Sequence, residues 1–222
     1  MPPSHDDTDD APDAGGPDAD DLRRRSLDGL QFILGLIERR LHRAEGVEAR
    51  EALSALLGDV SVLGAMQRHF AEGGSGGLAG GLSDLGATWG RLAAERGTSV
   101  EVRVEPVEVD ERRAIALALA ANELVTSSLK HAAADGGRGR VSVALRGDGE
   151  GWGELRVADD GRGLVDGMGP DSLGLGLVVG LLRRVGAELR LDGVGATRAR
   201  VRFPVAGHAG SSDDAPRPRR PA

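Results

Sequence analysis

The chain has no cysteine and no tyrosine, a single lysine and a single asparagine, and aromatic residues make up only 2% of its 222 residues. Each shortage excludes something. Without cysteine there are no disulfides, no thiolate-held zinc and no thiol nucleophile. With so few aromatics, leucine, valine and alanine must build the core. No basic stripe interleaved with aromatics marks a nucleic-acid surface, and the net charge of −7 points the same way. No apolar run approaches the roughly 20 residues of a membrane span. The N-terminus lacks the basic-then-apolar pattern of a secretory signal, so a cytoplasmic, non-membrane protein is expected. Hydrophobic residues, at 40%, suffice for one domain of ordinary size or a smaller one with an appendage. Glycine is abundant, with 35 residues, several in clusters.

Residues 1–21 are Asp, Pro, Gly and Ala with little to bury, and their aspartates repel one another; this is expected to be a disordered acidic tail. From Asp21 the pattern is helical. Leu30, Ile33, Ile37 and Leu41 recur at three- and four-residue spacing, with Arg and Glu opposite. Gly46 breaks the pattern. A second helix from about Glu48 places Leu53, Leu56, Leu57, Val60, Leu63 and Phe70 on one face. Residues 22–72 therefore read as an αα-hairpin. Two such stripes cannot both be buried within one hairpin, which predicts a homodimer through a four-helix bundle, or else a hairpin packed back onto its own domain. Residues 73–81 hold six glycines and read as a linker. A third helix is expected over 82–96.

Strand alternation follows at 98–106, then Asp110 as the N-cap of a long helix. Two strands at 141–146 and 154–158 bracket a Gly-rich hairpin, Leu173 opens an apolar helix, and strands at 188–191 and 198–203 close the domain. After Pro204 the chain turns polar, and 206–222 reads as a second disordered tail. The order β-α-β-β-loop-α-β-β predicts an α+β two-layer sandwich over residues 82–205.

Three polar clusters stand out. The lone Asn122 and lone Lys130 fall within nine residues on the long helix, with Glu123 beside the first. An amide, a carboxylate and an ammonium roughly on one helical face suit a polyphosphate and its metal. Asp159 ends a strand and is followed by Gly161 and Gly163, which puts a carboxylate in a tight turn where it can accept from an exocyclic amine. Gly174 and Gly176 open a helix, where small residues let phosphate oxygens reach backbone N–H groups and the helix dipole favours negative charge.

Together these clusters resemble the ATP-binding domain shared by histidine kinases, gyrase, the ninety-kilodalton heat-shock chaperones and MutL, the GHKL or Bergerat fold. NELVTSSLKHA is similar to its N box, VADDGRGL to the first glycine box, SLGLGLV to the second, and GATRARVRFP to its closing strands. The hairpin resembles the dimerisation and phosphotransfer region of one histidine-kinase subgroup, with Leu30-Gln31 keeping the end of that subgroup's Asn-Leu-Gln motif. The resemblance implies ATP or ADP as ligand. Asp159 would meet the adenine amino group, with Thr197 near the ring and Gly161 and Gly163 shaping the pocket floor. Gly174 and Gly176 would admit the phosphates, Lys130 would pair with them, residues 162–172 would form the lid, and Glu123 would stand where an acid or amide activates the attacking group.

Two departures from the family matter. Where the family has a magnesium-binding Asn, this chain has Ser127, a shorter and weaker oxygen donor for an ion that demands near-octahedral geometry. Where the family has its phosphoacceptor His, the count back from Gln31 reaches Arg24, which is protonated and non-nucleophilic. His42 and His69, each at a helix end, are the displaced candidates. The resemblance thus implies two-component signalling and a degenerate kinase acting as regulator or adaptor, whose partner is a response-regulator receiver domain or another signalling protein. Two alternatives stand beside it: an active kinase using a non-standard His or a Ser/Thr acceptor, and a phosphorelay adaptor that binds no nucleotide.

Overall fold

The computed structural model describes residues 19–71, 77–134, 139–160, 173–192 and 198–205. The two terminal tails, apart from the first residues of helix α1, lie outside them. So do residues 73–76 of the expected linker.

Helices α1 (Ala19–Arg43) and α2 (Val47–Ala71) form the hairpin, turning at Gly46, whose φ of +100° suits glycine alone. Helix α3 (Gly77–Glu95) starts five residues before the sequence pattern suggested. Gly77, Gly80 and Gly81, expected in the linker, lie in its first turns and face α2. A Cβ on Gly80 would stand 2.7 Å from the His69 ring, one on Gly77 2.8 Å from the Phe70 ring, and one on Gly81 would run into the end of Met66. These glycines therefore serve close helix–helix approach, which outweighs their poor helix propensity.

Strand β1 (Ser99–Val104), helix α4 (Glu111–Ala134), strands β2 (Arg140–Gly147) and β3 (Trp152–Asp159), helix α5 (Leu173–Arg184), and strands β4 (Glu188–Asp192) and β5 (Arg198–Pro204) complete the fold. Asp110 caps α4 as expected: its Oδ1 accepts from the backbone N–H of Arg113 at 2.9 Å. Helices α3 and α5 both end in a glycine at positive φ, Gly97 and Gly186. In each, the next N–H reaches back to a carbonyl five residues earlier, Thr98 to Ala93 and Ala187 to Leu182.

The strands make one mixed sheet in the order β1-β2-β3-β5-β4, parallel between β1 and β2 and antiparallel elsewhere. Helices α3, α4 and α5 cover one face. Val141, Val143, Leu145, Leu155, Val157, Val201 and Phe203 point into that layer and are almost wholly buried against Leu82, Trp89, Leu117 and Leu124. The expected α+β sandwich is the observed one.

The hairpin adds a third layer. Val62, Ala65 and Met66 of α2 are buried against α3 and α4. They are not the stripe that the sequence pattern picked: Leu56 is half exposed, and of that stripe only Val60 is buried. A helix packed between two layers must be apolar on two sides, and a single-stripe reading finds only one. The second half of the hairpin thus packs back onto its own domain. Helix α1 lies outermost and leaves Phe32 (69%), Ile33 and Leu36 exposed.

Candidate functional site

The topology decides which polar clusters meet. Arg140, at the start of β2, pairs alongside the end of β3: its N–H donates to Asp160 Oδ1 at 2.6 Å, and Val141 registers with Asp159. Helix α4 leaves the opposite end of the strands, after β1, and delivers its C-terminal half, Asn122 to Lys130, to this one. Helix α5 ends beside the start of β4, again at the opposite end. Its 12 residues, at 1.5 Å each, run back along the sheet and set its glycine-bearing N-terminus toward the Asp159 end. One end of the sheet therefore gathers Asp159, the polar half of α4 and the start of α5.

Asp159 is 7% exposed and on the same side of β3 as the core residues Leu155 and Val157. Gly176 is exposed in the first turn of α5, and Gly174 lies in that turn. Gly161, Gly163, Thr197 and the expected lid at 162–172 lie outside the described residues.

Helix α4 divides its polar residues. Asn122 and Lys130 differ by about 80° of helical rotation. That angle leaves Lys130 in solvent and puts Asn122, 5% exposed, beneath α2 and α3. The Asn122 amide has two partners. Its Oδ1 accepts from Trp89 Nε1 at 3.1 Å, and its Nδ2 donates to Asp59 Oδ1 at 3.4 Å. Gly58 makes this approach possible, because a Cβ there would stand 3.1 Å from Asn122 Nδ2. Ser127 is half-buried, and the neighbouring Ser128 is buried on the Leu117–Leu124 side with no hydrogen-bond partner for its hydroxyl among the described residues.

Asp59 and Glu123 face each other across the α2–α4 contact. Burial raises the Glu123 carboxyl above its ordinary range, the Asp59 charge raises it further, and Lys130 pulls it partly back. Burial likewise raises Asp59, partly offset by the hydrogen bond from Asn122. Two acids whose folded pKa values lie above their unfolded ones bind their protons more tightly in the folded state than in the unfolded one. Their contribution to stability is therefore complete in acid and is lost as pH rises through the folded values. Replacing Asp59 by Asn keeps an oxygen for Asn122 and removes the repulsion. The expected result is a thermal midpoint raised by about 2 °C at pH 7.5, on the scale of 2–4 °C per kcal/mol for a chain of this size, and unchanged near pH 4. A lowered midpoint at pH 7.5 in a melting series would refute the like-charge account.

Asp59 and Trp89 were invisible as site residues in the sequence. Trp89 is one of two tryptophans, and Asp59 interrupts the face that carries Val62 and Met66; those were the available signals. Arg24 is exposed on α1. Of the displaced histidines, His69 is held by α3, with Nε2 2.9 Å from Asp84 Oδ2 and its ring over Gly80. His42 Nδ1 lies 2.9 Å from the Glu38 carbonyl on the exposed end of α1. No group of three His, Asp or Glu residues able to hold a metal ion occurs among the described residues, and no helix among them is long and apolar enough to cross a membrane. A groove of about 330 Å³ lined by Arg146, Asp148, Trp152, Glu154 and Arg202 lies at the far end of β3 from Asp159 and takes no part in this cluster.

Comparison of the sequence with protein-family models gives no match, and neither does comparison with curated proteins. Solved structures do match. The chain is similar to the histidine kinase domain of the blue-light activated histidine kinase from Erythrobacter litoralis EL346, with a TM-score of 0.59 and 23% identity over 80% of this chain and 94% of that one. Against the longer structure of that kinase the TM-score is 0.57 at 23% identity over 85% of this chain, which spans 60% of the other. The fold of this chain is that of a histidine kinase domain.

Proposed function

We propose that this protein is a nucleotide-binding, histidine-kinase-like regulator of two-component signalling that has lost the usual autophosphorylation. The observation that carries the reading is the convergence of Asp159, the Glu123–Lys130 stretch of α4 and the glycine-bearing start of α5 at one end of the sheet. A buried carboxylate, an exposed ammonium and a small-residue helix N-terminus fit the amino group of a base at one end and phosphates at the other. The metal fits less well. Glu123 and Ser127, four apart on α4, are the oxygen side chains that the family resemblance would offer it, and a hydroxyl replaces the expected amide. When bound, magnesium would supply charge neutralisation at the phosphates; this chain offers it a thin donor set.

Two further features support a kinase without its own acceptor. Arg24 occupies the acceptor position implied by the family resemblance, and His69 is committed to Asp84 and to packing on α3. The exposed Phe32, Ile33 and Leu36 of α1, with Leu56 of α2, suit a homodimer through the hairpin. A receiver domain or another signalling protein is the proposed partner.

Calorimetric titration with ATP and ADP, with and without Mg²⁺, tests the reading. The expected result is binding whose affinity changes less than tenfold on adding Mg²⁺. Strong Mg²⁺ dependence would restore Ser127 as a metal ligand and turn attention to an active kinase with His42 or a Ser/Thr acceptor. No binding of either nucleotide would leave an adaptor that docks partners by protein contacts alone.

A further inference from the structure

The face of the sheet away from the helices is not covered by any described element, and its composition is unusual for a protein of net charge −7. Strand alternation sends eight arginines and four acids to it. The register arranges them. Arg103 pairs with Ala144, Ala144 with Arg156, Arg156 with Arg200, and Arg200 with Arg190. One row therefore crosses all five strands with four arginines and no acid, three of them on adjacent strands. Arg198 and Arg202 of β5 flank that row on either side.

Like charges directly opposite each other on a sheet are destabilising, so this arrangement carries a cost within the fold. The acids present relieve only part of it. Glu154 serves both Arg146 and Arg156, Glu101 serves Arg103, and Asp192 and Glu188 approach Arg200 and Arg190 at 3.7 and 3.9 Å. Exposed pairs of this kind are worth at most about 1 kcal/mol each. Arg202 instead lies over the Trp152 ring, 4.2 Å from its centroid. An excess of positive charge remains, spread over a broad flat surface without aromatic platforms beyond Trp152. Such a surface suits a run of carboxylates better than the stacked bases of a nucleic acid.

The same chain supplies that run. Residues 1–18 carry six aspartates and no lysine or arginine, and they lead directly into α1. Eighteen residues reach at most about 60 Å, and from the start of α1 on the helical side they must pass round a domain whose radius of gyration is about 17 Å. Tethering sets the effective concentration in the millimolar range, so even contacts that would be too weak between separate molecules are populated. We propose that the acidic segment 1–18 docks on the arginine face of its own chain's sheet.

The test uses the full-length protein. It has no cysteine, so Thr8→Cys gives a single attachment point for a nitroxide spin label. Amide signals of β4 and β5 are then compared between the oxidised and reduced label. At 50 mM salt the oxidised label is expected to cut their intensities at least twofold, and at 500 mM salt, where screening acts over a few ångströms, the intensities should recover. A second variant, with Asp6, Asp7, Asp9 and Asp10 all changed to Asn, should recover them at low salt. Labelled protein mixed with isotopically labelled, label-free protein separates the sources. Unchanged signals in that mixture support docking within one chain, and broadening of the label-free molecules in it gives the face to a second copy and overturns the proposal. Full intensity at 50 mM salt, or broadening indifferent to salt and to the Asn changes, overturns it as well.

Discussion

Changing Trp89 to Ala is expected to lower the thermal midpoint by about 10 °C. Trp89 is 1% exposed, at the meeting of α3 and α4, and its ring is among the largest fully buried groups. Removing a buried aromatic ring of this size costs about 3–5 kcal/mol, and each kcal/mol moves the midpoint by about 2–4 °C in a chain of this length. A second loss is included. Trp89 Nε1 is the donor to Asn122 Oδ1, and a buried acceptor left without its partner costs about 1–3 kcal/mol. Trp89→Phe separates the two, keeping most of the ring and removing the donor, and should account for about 1–3 kcal/mol by itself. Melting curves of both variants check this. Equal midpoints for Trp89→Phe and the unaltered protein would mean that the hydrogen bond contributes nothing to stability.

The second large effect concerns binding. Asp159→Asn is expected to weaken ADP at least tenfold in calorimetry while leaving the circular dichroism spectrum unchanged. The substitution preserves shape and changes a charged acceptor to a neutral one, and hydrogen bonds to charged groups are worth about 1.5–3 kcal/mol. Asp159 ends β3 beside the start of β2, where substitution of one carboxyl oxygen by an amide leaves the strand register intact. Unchanged affinity would remove Asp159 from the base-recognising role. Weakened affinity together with a lost fold signal would reassign the residue to structure.

Asn122 shows how far the site could be read from the chain alone. As the only asparagine it stands out in the sequence, and its helix lies where the pattern put it. Its partners were not legible. They come from α2 and α3, 63 and 33 residues away, and hydrogen bonds at such separation leave no periodicity in the sequence. Glu123 is similar. Its raised proton affinity comes first from burial and then from the charge of Asp59, which only the packing of the hairpin brings near. Gly80 and Gly81 illustrate the reverse error. Glycine clusters signal loops by their backbone freedom, but here the absence of a Cβ admits the side chains of His69 and Met66.

Local order along the chain was enough for the elements themselves. Alternation at 198–203, the Asp110 cap and the three-and-four spacing of α1 each depend on neighbours within a few residues, and each is present where the pattern put it. The convergence at the Asp159 end of the sheet, the burial of Asn122 and the row of arginines across five strands could not come from such neighbours. They depend on sheet order and register, which long-range burial sets. Charge shows the difference most clearly. Summed along the chain it is −7, yet pairing residues 103, 156, 200 and 190 side by side makes a positive surface that no stretch of the sequence contains.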